Sequence, residues 1–133
     1  MICELESINL TIRGIGDCVI DGENSLANGI AFNDCNNVEL YIKDISIINW
    51  NEGGIVEDSD NVNCQIDITG CYIANNRRTS YYRGENGGGI QLYSPAVISN
   101  CEIIDNTAIA LGGGIYIEAY PGTTALLDNI IEG

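Results

Sequence analysis

Two short stretches of this 133-residue chain concentrate residue types that could do chemistry. The first is GIVEDSDN, where Glu57, Asp58 and Asp60 place three carboxylates within four positions. Hard oxygen donors at that density suit Ca²⁺, so this turn is a candidate weak Ca²⁺ site, and no other cofactor is expected. The second is RRTSYYRGEN, which holds Arg77, Arg78 and Arg83, three of the five basic residues, with Tyr81 and Tyr82 between them. A guanidinium fork matches a carboxylate. A tyrosine face offers a sugar ring flat apolar surface with a polar tip. Together they point to a polysaccharide or cell-surface glycan as partner. The competing reading is a solvated loop whose arginines dock on the acidic body of the same protein.

Composition narrows the classes. There is no histidine, which removes the commonest general base and the commonest metal ligand. A net charge of −14 argues against nucleic acid or an anionic membrane surface as partner. No stretch approaches the ~20 apolar residues of a membrane span, so no membrane insertion by this segment is expected. The start, MICELESINL, lacks the basic and apolar regions of a signal peptide. The six cysteines, Cys3, Cys18, Cys35, Cys64, Cys71 and Cys101, form no C-x-x-C pair. They read as apolar core filler, or as disulfides if the protein is exported.

The elements that would position these residues are legible as a repeat. A Gly-Ile step recurs at Ile30, Ile55, Ile90 and Ile115, at intervals of 25, 35 and 25 residues. The long interval contains RRTSYYRGEN. A second landmark, in DISIINW, GCYIANN, NCEIIDN and DNIIEG, centres on Ile47, Ile73, Ile103 and Ile131. Alternating β-branched residues punctuated by Gly and Asn predict short strands without helix. About 25 residues per unit is too short for a propeller blade of ~40–50 residues. The expected fold is all-β: a right-handed parallel β-helix, a solenoid of four to five coils. It forms one domain over 1–133, with an irregular first coil over 1–27, regular coils over 28–133 and a loop insertion over 77–86.

In such a coil equivalent residues stack about 4.8 Å apart. Ile30, Ile55, Ile90 and Ile115 then form one inward column, and Ile45, Cys71 and Cys101 another. Asn49, Asn75 and Asn106 are expected to form an amide ladder at the coil ends. The glycines are expected to supply φ > 0 before each strand. Glu57 stands where other coils place Phe32, Leu92 and Ile117. Either the strand bulges after Val56 and swings the carboxylate outward, or a polar or metal site lies inside. Tyr41, Tyr72, Tyr93, Tyr116 and Tyr120 read as a stacked outward stripe or as ordinary cross-strand packing. Trp50 is expected to cover a coil corner.

NCEIIDNTAIALGGGIY, with its Ile103-to-Asn106 and Gly112-Gly113-Gly114-Ile115 steps, resembles the repeats of polymorphic outer-membrane proteins. INLTIRGIGDCVIDGEN and VELYIKDISIINWNEGGI resemble opening coils of pectin-lyase-like β-helix proteins. The resemblance implies an extracellular or cell-surface location. It also implies either a non-catalytic adhesion or structural module that binds glycans, or a segment of a polysaccharide lyase or glycoside hydrolase. The histidine-bearing signatures of polygalacturonases and uronan epimerases are absent here. Calcium-dependent pectate lyases pair a carboxylate cluster with an arginine base. Arg83 in that role would need a lowered pKa that Arg almost never shows. Caps are not evident at either end, so the chain is expected to be part of a longer solenoid, with end-to-end self-association as a consequence.

Overall fold

The computed structural model describes residues 2–3, 9–33, 35–57, 62–79, 86–119 and 122–133. All regular structure among them is strand. The first turn holds β1 (Ile2–Cys3), β2 (Asn9–Arg13) and β3 (Val19–Asp21). The second holds β4 (Ile30–Phe32), β5 (Glu39–Lys43) and β6 (Ser46–Ile48). The third holds β7 (Ile55–Glu57), β8 (Gln65–Thr69), β9 (Tyr72–Ala74) and the short β10 (Arg77–Arg78). The fourth holds β11 (Ile90–Leu92), β12 (Ala96–Ser99), β13 (Glu102–Ile104) and β14 (Thr107–Ala108). The last holds β15 (Ile115–Ile117), β16 (Ala125–Leu127) and β17 (Ile130–Glu132).

Each turn gives one strand to each of three parallel five-stranded sheets, in the orders β1-β4-β7-β11-β15, β2-β5-β8-β12-β16 and β3-β6-β9-β13-β17. The chain is a parallel β-solenoid of five stacked rungs. The Gly-Ile column is real: Ile30 pairs with Ile55, Ile55 with Ile90 and Ile90 with Ile115. A second column runs Ile20, Ile47, Ile73, Ile103, Ile131. A third runs Ile12, Ile42, Ile68, Ile98, Leu126. The middle members of all three are fully buried. Each such Ile stabilises the coil by roughly 1.5–3 kcal/mol relative to exposure. In the first coil β2 pairs with β5 over five residues.

The corners follow a two-residue rule that propensity explains. A residue in the left-handed region is followed by an inward side chain: Asn37–Val38, Asp44–Ile45, Asn49–Trp50, Asn63–Cys64, Gly70–Cys71, Asn75–Asn76, Asn100–Cys101, Asp105–Asn106 and Asp128–Asn129. Asn, Asp and Gly tolerate positive φ best, so they hold the bend. The expected ladder of Asn49, Asn75 and Asn106 therefore mixes two columns. Asn49 and Asn75 are bend residues, equivalent to Asp105. The inward column is Trp50, Asn76, Asn106. Trp50 N–H donates to Asn76 Oδ1 at 3.1 Å, and Asn76 N–H and Nδ2 both donate to Asn106 Oδ1 at 3.0 Å. The other amide hydrogens reach Ile47 O and Ile73 O. The Trp50 indole N–H reaches Ile20 O, so it does close a corner, as part of this column.

The expected positive φ ahead of the strands is supplied by Gly53, Gly87 and Gly112, before β7, β11 and β15. Gly29, Gly54, Gly89 and Gly114, which directly precede the Ile, have no positive φ and do a different job. A Cβ on Gly54 would sit 2.7 Å from Gly89 O and 2.9 Å from the Asn76 amide nitrogen. One on Gly89 would sit 3.0 Å from the Asn106 amide. Glycine is required there because the next rung's backbone carbonyl comes closest, at 2.7 Å for Gly54 and 2.5 Å for Gly89, with the amide column packed beside it.

Candidate functional site at the loop-bearing turn

The third and fourth turns carry both sequence-level candidates. Glu57 ends β7 and pairs with Phe32 of β4, so the strand does not bulge after Val56. Its side chain is fully buried, and the expected outward swing does not occur. The reason lies one rung above. Pairing of β7 with β11 stops at Gln91, where the upper chain turns away. That turn leaves backbone donors unpaired, and the carboxylate takes them. Tyr93 N–H and Ser94 N–H each donate to Glu57 Oε2 at 2.7 Å, and Ser94 Oγ bonds Oε1. Charge-assisted bonds to an acid cost less to bury than an unpartnered charge would. Burial raises the pKa of the neighbouring Cys64 thiol, and the Glu57 charge adds to it.

Both carboxylate oxygens are thus committed to the Tyr93–Ser94 turn. Asp58 and Asp60, the other expected Ca²⁺ ligands, lie outside the described residues. Among the described residues, no cluster of three or more Cys, Asp or Glu side chains is arranged for a metal.

The arginines separate. Arg77 and Arg78 form β10, which pairs with Thr107 and Ala108 of β14, so the excursion begins later than residue 77. Neighbouring strand residues point to opposite sides. Arg77 is exposed, whereas Arg78 is 7% exposed. Arg78 Nη1 donates to Glu52 O at 2.8 Å, and its buried Nε has no hydrogen-bond partner. The one ion pair among the described residues is Arg13–Asp44, so no described carboxylate is in salt-bridge contact with Arg78. Burial lowers the guanidinium below its usual range, and the fields of Glu52 and Tyr93 oppose that shift. Tyr81, Tyr82 and Arg83 lie outside the described residues.

Around Arg78 the outer face of the first sheet is polar and aromatic. The space beyond Gly53 is bounded by Val56 and the Arg78 guanidinium. Gln91, paired with Val56, is buried and points its Nε2 at the Tyr93 hydroxyl, 3.4 Å away. Tyr93 meets Tyr116 edge to face, with centroids 6.3 Å apart, and the Tyr116 hydroxyl donates to Glu118 at 2.6 Å. The tyrosines form no single stripe. Tyr41 belongs to the second sheet and Tyr72 to the third, and Tyr120 lies outside the described residues. Sequence reading missed Gln91 and Ser94, because their roles depend on the rung below.

No family model matches the chain, and no curated protein or solved structure matches it either. The parallel β-solenoid therefore rests on the register itself.

Proposed function

We propose that this chain is a non-catalytic β-solenoid module of a surface or secreted protein, a stiff adhesive spacer that holds glycan on the outer face of its first sheet. One observation carries the reading: Arg78, buried with a single hydrogen bond, lies on the face that bears Gln91 and the Tyr93–Tyr116 pair. A cation held short of acceptors, next to aromatic surface, suits a hydroxyl- or carboxylate-bearing sugar. The right-handed, pectin-lyase-like character of the coil, and Arg83, Tyr81 and Tyr82 as further contacts, belong to the same proposal. Any Ca²⁺ would be held by Asp58 and Asp60 without Glu57.

The test is a nuclear magnetic resonance titration with neutral and acidic oligosaccharides, following the Tyr93, Tyr116 and Arg78 signals. Saturable shifts at these residues, lost in Arg78→Met, are expected. Shifts confined to other faces, or none with either sugar class, would overturn the reading. Release of unsaturated product from polygalacturonate or alginate with Ca²⁺ would favour a lyase segment instead. End-to-end association of copies is part of the same proposal. A sedimentation coefficient independent of concentration would count against it.

A further inference from the structure

Five cysteines are described as free thiols. Their positions relative to one another are not alike. Cys18 falls opposite Ile45, since Val19 pairs with Ser46. Cys64 falls opposite Val38, since Glu39 pairs with Gln65. Cys35 precedes Asn36, which bridges Val62, so it too lies away from Cys64 in register. Cys71 and Cys101 are the exception. Tyr72 pairs with Glu102, so these two stand directly over one another at the same corner of successive turns. Cys71 N–H points at Cys101 Sγ at 3.4 Å. Ile45, buried at this corner one rung below, shows that the position accepts a larger apolar side chain. Small size alone therefore does not explain two adjacent thiols.

The geometry points to Cys71 and Cys101 as a disulfide site that closes the base of the loop-bearing turn. Stacked rungs put the two Cα atoms about 4.8 Å apart. That falls inside the ~4.4–6.8 Å range of disulfides. The bridge would enclose 72–100, the turn that carries RRTSYYRGEN and Arg78. In the folded chain a hydrogen bond from the Cys71 thiol lowers the Cys101 pKa against the opposing effect of burial, and the same contact raises that of Cys71, which marks the two thiols as direct neighbours.

The oxidant is a small disulfide such as oxidised glutathione, acting while the chain folds, because both thiols are at most 2% exposed afterwards. The Cys101 thiolate attacks one glutathione sulfur and releases a glutathione thiol. The Cys71 thiolate then attacks the Cys101 sulfur and expels the second. Two electrons pass to glutathione, and the two protons leave with its thiols.

Refolding the reduced chain in a mixture of reduced and oxidised glutathione tests this. After alkylation, the expected product carries four alkyl groups where the fully reduced chain carries six, and it yields one linked peptide containing Cys71 and Cys101. Its melting temperature should exceed that of the reduced form by roughly 10 °C, the scale set by closing a loop of this length. Cys101→Ser should abolish the link, and Cys35→Ser should retain it. The wild-type peptide map stands even if a variant fails to fold. Free thiols at both Cys71 and Cys101 after refolding, a persisting glutathione adduct, linkage of either to another cysteine, or an oxidised form that melts no higher would each overturn the inference.

Discussion

Glu57 and Arg78 lie at the two ends of one turn, in β7 and β10, both ionisable and both buried, yet the fold treats them oppositely. Glu57 meets three donors from the rung above. Arg78 meets one carbonyl and keeps a buried N–H without a partner. A buried charge with all its bonds made reads as architecture; one left short reads as a place where something else completes the set. That contrast separates the structural polar group from the candidate site more sharply than residue type does, since both looked like ligands in the sequence.

The largest expected effect is at Glu57. Glu57→Ala strands two backbone N–H groups and the Ser94 hydroxyl in a closed interior, and should cost about 3–5 kcal/mol. Urea unfolding followed by tryptophan fluorescence would measure it, and a loss below ~1 kcal/mol would erase the distinction from Arg78. Asn76→Ala comes next. It removes the neutral counterpart of Glu57, unpairing Trp50 N–H and Ile47 O, and should cost about 2 kcal/mol by the same measurement. The smallest effect is expected at Arg78. Arg78→Met exchanges a poorly compensated cation for apolar volume and should change stability by no more than ~1 kcal/mol either way. A destabilisation as large as that of Glu57→Ala would make Arg78 a structural residue as well.

The solenoid was legible because its signal is periodic. Ile30, Ile55, Ile90 and Ile115 had to coincide once each turn became a rung, and they do. The polar corners were only half legible. Asn49, Asn75 and Asn106 were the right kind of residue assigned to one column instead of two, because neighbouring positions share a composition and differ only in φ. The signal that separates them is the pair itself, a bend-tolerant residue followed by an inward one, repeated at nine corners. The site was least legible. Glu57 bonds to residues 36 and 37 positions later, beyond the reach of any local pattern.

The sequence alone determined that like would stack on like: period, strand content and the apolar columns follow from side-chain alternation and β-branching, which act within a few residues. Only the tertiary structure decided what the exceptions do. Whether Glu57 points in, whether Arg77 and Arg78 act together, and which cysteines face each other depend on the register between turns. Register is a long-range property, fixed by where one rung's hydrogen-bond ladder ends and the next chain bends away.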